Sequence, residues 1–295
     1  MVYTSLASGL AAAFCWGTAD YMSRSQSQRL GYYRTVVYSH FVTLVVLIAL
    51  IPVIAPSIQF PVSPVLVLVG AGALNFAAFI FLYRAYHLGV VSVVAPVAYT
   101  YPAITTVLSV VILASILSSV QLLAIAGILV GVILLSTRFS ELYGFLRGRG
   151  APNLTKGVSS AVGSSVLFGT VYVAIGYTAP LVSVVVPVLV LRVVAIVAGI
   201  VLAPLFHQSL RPSRQVFSQR IIAMGVLEAA GFLFFTYGIS SAGGSLPIVV
   251  ALSSMGGAVA ASYGLAFLKE RLEPNQMIGI FLSLIGVFTL LYFGG

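Results

Sequence analysis

Apolar residues run along this chain in blocks of roughly 20, the length needed to cross about 30 Å of hydrocarbon as a helix. The blocks follow one another almost without interruption. Ten membrane helices are predicted, over residues 4–24, 31–52, 64–86, 90–114, 119–137, 157–178, 184–206, 219–240, 244–267 and 274–293. The longest hydrophilic stretch, TRFSELYGFLRGRGAPNLTKG at 137–157, divides these blocks into five and five. Residues 1–137 therefore read as one five-helix unit, 138–156 as a linker and 157–295 as a second unit.

The two halves resemble each other at matching positions, as a duplication requires. SGLAAAFCWGTADYM at 8–22 aligns with SAVGSSVLFGTVYVA at 160–174, an offset of 152 that sets Trp16 over Phe168. At the same offset Pro52 meets Pro204 and His40 falls opposite Arg192. With one gap, LNFAAFIFL at 74–82 matches LEAAGFLFF at 227–235, pairing Asn75 with Glu228. VQLLAIAGILVGVILL at 120–135 matches the stretch from 275, aligning Gln121 with Gln276 and Gly131 with Gly286. Each half holds an odd number of crossings, so the second enters the membrane upside down relative to the first. The expected fold is all-α and integral to the membrane, with ten transmembrane helices in two inverted five-helix repeats. Such repeats can exchange conformations around a shared site, the arrangement of a secondary transporter.

Composition agrees with this reading, with 60% hydrophobic residues and only 6% charged, against about a quarter charged in a soluble domain. Thirteen of the 14 Lys and Arg residues lie in or beside the odd-numbered loops and none in the even ones. The odd loops are thus expected in the cytoplasm and both termini outside. The net charge of +9 sets topology, so no nucleic-acid partner is expected. The first block lacks a basic leader and carries Trp16 and Asp20, so no cleaved signal is expected. Cys15 is the single cysteine, which leaves no disulfide and no multi-cysteine metal site within the chain.

The Trp16-Gly17 pair and the stretch LKERLEPNQMIGIFLSLIGVFTLL at 268–291, with Glu270, Gln276, Gly279 and Gly286, resemble the EamA type of the drug/metabolite transporter superfamily. The first half departs from that pattern, with Ser115 where its twin has Glu270. The resemblance implies helices one to four and six to nine around a central cavity, with helices five and ten packed peripherally. It implies a membrane location, that of a prokaryotic plasma membrane, and cargo ranging from amino acids and amines to nucleotide sugars and phosphorylated metabolites.

The residues narrow this further. Arg192 and Glu228 fall at mid-depth in their helices, where a charge facing lipid costs at least about 2.5 kcal/mol, so both face the interior. They either pair with each other or bind cargo. In the second case Glu228 takes a cationic group or a coupling proton and Arg192 a carboxylate or phosphate. His40 and Asn75 lie at similar depth, and His40 is a second proton candidate. Around Glu228 stand Phe232, Phe235 and Tyr237, whose rings would attract a cation or simply pack. Tyr99 and Tyr101 lie between Pro96 and Pro102 in a helix expected to bend around the cavity, and Trp16 and Phe168 are the twinned aromatic positions. Asp20, with Arg24 four residues on, reads as half of an interfacial ion pair. The Gly127 to Gly131 spacing reads as close helix packing and would also serve a homodimer contact.

No phosphate loop, HExxH, GxSxG or carboxylate cluster is present, so neither ATP-driven transport, hydrolysis nor a resident cofactor is expected. The expected function is secondary transport of a small organic metabolite, an amino acid or amine first, by alternating access and outward, with proton coupling through Glu228 where movement is uphill. Three other readings remain open at this point. They are a multispecific cation exporter, a nucleotide-sugar or phosphometabolite exchanger, and a membrane receptor or enzyme.

Overall fold

Within hydrocarbon a chain must satisfy its backbone N–H and C=O groups internally, and an apolar run does so as a helix. The computed structural model is accordingly all-α and describes residues 2–54, 60–113, 118–136, 143, 155–211, 218–240 and 246–293. Most of the linker at 138–156, Ser115 and the glycine pair at 243–244 lie outside the described residues.

The first half comprises α1 (Val2–Leu30), α2 (Tyr32–Ile54), α3 (Val62–Leu88), α4 (Val91–Ala98), α5 (Tyr101–Leu113) and α6 (Ser119–Ser136). The second comprises α7 (Val158–Thr178), α8 (Val185–Leu202), α9 (Gln219–Ser240), α10 (Leu246–Ser253), α11 (Gly256–Phe267) and α12 (Pro274–Phe293). α1 and α2 are joined through Gly31 alone, whose φ of +85° suits a residue without a side chain.

Six described stretches are long and apolar enough to cross a membrane by length and composition, namely 32–54, 62–88, 91–108, 158–181, 185–202 and 219–240. Among the described residues the apolar stretches 122–131, 256–267 and 274–289 are shorter than that measure.

Both broken helices break where the sequence frees backbone groups. Pro102 has no N–H to offer the carbonyl one turn back, and α4 gives way to α5 across Tyr99 and Thr100. There the Thr100 hydroxyl donates to the Val97 carbonyl at 2.8 Å. α10 gives way to α11 just before Gly256 and Gly257, which make room for the Tyr99 ring. A Cβ on Gly257 would come within 2.9 Å of Tyr99 Cβ.

Helix packing pairs the halves systematically. α1 packs on α9 as α3 packs on α7, and α3 packs on α8 as α9 packs on α2. α2 meets α8, α4 meets α11, α5 meets α10 and α6 meets α12. Exchanging the first half for the second leaves this set of pairings unchanged. Large apolar side chains such as Phe14, Ile48, Leu66, Val197 and Phe281 cover the outside, while Asp20, His40, Asn75, Arg192 and Glu228 are buried.

α6 and α12 form a separate outer pair with its own small cluster of Ala103, Ala124, Ile128 and Val287. Here the reading of the Gly127 to Gly131 spacing as close helix packing applies within the chain at Gly131. Gly131 is taken up by α12 of the same chain, since a Cβ at that position would lie 2.8 Å from the Gly279 carbonyl oxygen. A Cβ at Gly286 would likewise lie 2.7 Å from the Ala124 carbonyl oxygen. Gly131→Leu is therefore expected to cost about 1–3 kcal/mol through overpacking, read as earlier thermal unfolding in detergent with unchanged oligomeric mass.

Candidate functional site

Four mid-depth polar residues come from four different helices into one buried knot. Arg192 on α8 donates from Nη1 to Asn75 Oδ1 on α3 and to His40 Nε2 on α2, both at 3.0 Å. A guanidinium only donates, so His40 Nε2 is an acceptor and its ring proton sits on Nδ1. Nδ1 faces Glu228 Oε2 on α9 at 3.2 Å. Arg192 Nη2 is 3.6 Å from the same oxygen. The Glu228 carboxylate also accepts from the Tyr83 hydroxyl at 2.5 Å, and the Thr43 hydroxyl is 3.4 Å away. The two readings of Arg192 and Glu228 thus meet in one geometry, a buried pair reinforced by neutral hydrogen-bond partners.

The knot has two sides. Phe79 and Phe232 lie over the guanidinium, with ring centroids 4.9 and 4.5 Å from Cζ. Across those rings is a small central cavity of about 20 Å³, lined by Trp16, Asp20, Phe79, Tyr99, Tyr101, Phe168, Tyr172, Glu228 and Phe232 among others. That is room for about one water. Its walls are rings in contact, Trp16 to Phe232 at 4.8 Å, Tyr101 to Tyr172 at 4.6 Å and Phe79 to Phe168 at 5.0 Å between centroids. A solute larger than water fits only when these rings part.

Of the sequence candidates, Glu228, Trp16, Tyr99, Phe168 and Phe232 line the cavity. His40 and Arg192 stand behind it against Glu228, and Asn75 holds Arg192. Phe235 is buried in a second layer against Trp16 and Tyr172, with centroids at 5.4 and 4.9 Å. Tyr237 is elsewhere. It is 50% exposed and faces an apolar pocket of about 560 Å³ with Val46, Leu50, Ile54 and Phe234. Tyr237→Ala is expected to leave cargo affinity within about twofold, checked by ligand-induced thermal stabilisation.

Asp20 is the main correction. It does not pair with Arg24 at the interface but is buried in the cavity wall, where Oδ2 accepts from the Tyr86 hydroxyl at 2.9 Å. The reason is length, because α1 runs to Leu30 and not to residue 24, which puts Asp20 about 15 Å from the helix end. The repeat alignment carried a usable signal, since the counterpart of Asp20 is Tyr172 and both line the cavity.

Arg24 turns instead to Glu270, which follows α11. Glu270 also accepts from the backbone N–H groups of Val91 and Ser92 at 3.0 and 2.8 Å. It thereby satisfies the open start of α4 and ties α1, α4 and the end of α11 together on the side of the odd loops.

One contact joins a residue to its own repeat counterpart, Arg192 to His40, separated by the repeat offset of 152 positions.

Comparison with known proteins follows the same division. The sequence model of the EamA-like transporter family matches the chain twice, over residues 4–137 and 155–292. One solved crystal structure aligns over 97% of this chain and 95% of its own, with a TM-score of 0.65 at 17% identity, a likeness of fold. No curated protein matches the chain.

Proposed function

The chain belongs to the EamA-like transporter family, which makes it a multi-pass membrane transporter and not an enzyme, and from that premise we propose that its cargo is a small organic metabolite bearing an amino group. The mechanism is alternating access between two inverted five-helix repeats, ten membrane-spanning helices in all, with both termini outside and transport outward. The twofold family match supports the repeat, and the charge bias of the loops supports the orientation. The cavity lies beside the contact between Arg192 and its repeat counterpart His40. A residue touches its own counterpart only near a two-fold axis, so both repeats can move against each other around that point.

The observation that carries the choice of cargo is the cavity wall itself, aromatic rings with carboxylates and no basic side chain among them. Rings and carboxylates attract ammonium groups, whereas a phosphate or nucleotide sugar calls for cationic side chains, and among the described residues none lines this wall. The same aromatic wall favours a second reading, a multispecific exporter of organic cations. The test is counterflow in proteoliposomes against a panel of amines, amino acids, nucleotide sugars and sugar phosphates. Saturable exchange of one amine or amino acid is expected. Competition by many unrelated cations would select the second reading, and exchange confined to phosphorylated solutes would discard both.

A further inference from the structure

Two carboxylates reach the central cavity, and only one of them has a cation. Glu228 is held by Arg192, His40, Tyr83 and Thr43. Asp20 stands on α1 with 4% of its surface exposed. Its partners are hydroxyls, Tyr86 at 2.9 Å and Tyr99. Among the described residues the ion pairs are Arg24–Glu270 and Arg192–Glu228, with His40 Nδ1 a further contact of Glu228, and none of these includes Asp20.

A charge count follows from the hydrogen bonds. His40 accepts from Arg192 and is neutral, so Arg192 balances Glu228 and an ionised Asp20 leaves the site with one negative charge in excess. An uncompensated charge within hydrocarbon is strongly unfavourable. The site therefore calls for one positive charge, delivered by a proton or by a ligand. Around Asp20 the wall offers the means to hold the second. Trp16 precedes it by one helical turn, and Tyr99, Tyr101 and Tyr172 bring further ring surface.

We propose that Asp20 is the cargo-binding carboxylate, and that the ammonium group of a cationic amine replaces a proton on it. This rests on the transporter reading above and narrows its cargo. With no amine present the carboxyl holds its proton. As the amine enters, the O–H bond breaks, the proton leaves to the aqueous phase then open to the cavity, and an ammonium N–H donates to the carboxylate. One positive charge goes out for each that comes in. The cargo is an amine and not an amino acid, because Arg192 lies behind Phe79 and Phe232 and is committed to Asn75, His40 and Glu228. A zwitterion's carboxylate finds no cation in the wall. The groups facing Asp20 are Tyr86 from α3, Tyr99 from the break between α4 and α5, Tyr101 from α5, Tyr172 from α7 and Glu228 from α9. Among these, Asp20 is the carboxyl without a cation and thus the one that exchanges its proton.

The test titrates the purified full chain with ethylammonium, phenethylammonium and tetraphenylphosphonium, alongside phenylalanine and 2-phenylethanol, in weakly buffered detergent with a pH indicator. At least one of the cations is expected to bind saturably and to release about one proton per cation bound. Its affinity should fall about tenfold per pH unit on the acid side, and phenylalanine should bind more weakly than phenethylammonium. Asp20→Asn should lose about 100-fold in affinity together with the proton release, while Asp20→Glu keeps both. The proposal is overturned if none of the three cations binds, if binding releases no proton, or if Asp20→Asn binds and releases as wild type does. Counterflow of an amino acid by Asp20→Asn would remove the Asp20 assignment and leave the transporter reading intact. Proton-releasing binding of a cation without any flux into proteoliposomes would do the reverse.

Discussion

Arg192→Met is expected to destabilise the protein by about 3–5 kcal/mol, the cost of leaving a buried carboxylate without its cation. Arg192 is fully buried and supplies three things at once. It neutralises Glu228, it fixes His40 and Asn75 by donating to both from one nitrogen, and it fills the slot between Phe79 and Phe232. Methionine keeps much of the volume and none of the charge. Adding Glu228→Gln to that background should recover most of the loss, because the orphaned charge is then gone. Denaturant unfolding in detergent of the wild type, both single variants and the double variant gives the coupling directly. Strict additivity would mean that the two side chains are neighbours without being a pair, and that Glu228 is held by Tyr83 and His40 alone.

This knot was legible in the sequence because two independent constraints met there. A charge at mid-depth must face inward, and the repeat offset set His40 against Arg192 and Asn75 against Glu228. The alignment paired His40 with Arg192, which do touch, whereas Asn75 accepts from Arg192 and not from its own counterpart Glu228. Asp20 was misjudged because hydropathy cannot see polar residues that protein covers. The apolar run stops at Met22, yet α1 continues, since Ser27 and Gln26 are buried against neighbours, the Ser27 carbonyl 2.8 Å from His87 Nδ1 and Gln26 Oε1 3.3 Å from the Ser218 hydroxyl.

Tyr237 was misjudged for a simpler reason. It lies nine positions after Glu228, and at about 100° per residue that is the opposite face of α9, whereas Phe232 and Phe235, four and seven positions on, return to the same face. Tyr83 and Tyr86 were legible in principle, eight and eleven positions after Asn75 on the same stripe of α3, but read as part of an apolar run. The pairing of Arg24 with Glu270 depends on how the chain turns after α11, where Lys269 takes a φ of +53°, and no local pattern announces such a turn for a lysine.

Glu270→Ala is expected to shift the protein toward a state open to the cytoplasm by about ten- to 100-fold. The estimate takes the lost bonds at about 1.5–3 kcal/mol, the worth of hydrogen bonds to a charged group, with the half-exposed Arg24 adding little. The carboxylate gathers three elements that must separate for the cavity to open on that side. It pairs with Arg24, six residues before the end of α1, it receives the first two N–H groups of α4, and it is anchored just after α11. The other half offers no equivalent charge, since Ser115 occupies the matching sequence position, so the change weakens one closure only. A reporter is available at Ala19, which lines the cavity next to Asp20. In a Cys15→Ser background, Ala19→Cys should react faster with a membrane-impermeant maleimide applied to inside-out vesicles when Glu270 is replaced, and no faster in right-side-out vesicles. Tyr33, whose hydroxyl donates to the Gly199 carbonyl at 2.7 Å, closes α2 against α8 on the same side, so Tyr33→Phe should add to the effect. Equal acceleration from both faces would instead mean that Glu270 braces the whole bundle, and unchanged labelling with a normal melting profile would mean that α4 and α11 stay closed without it.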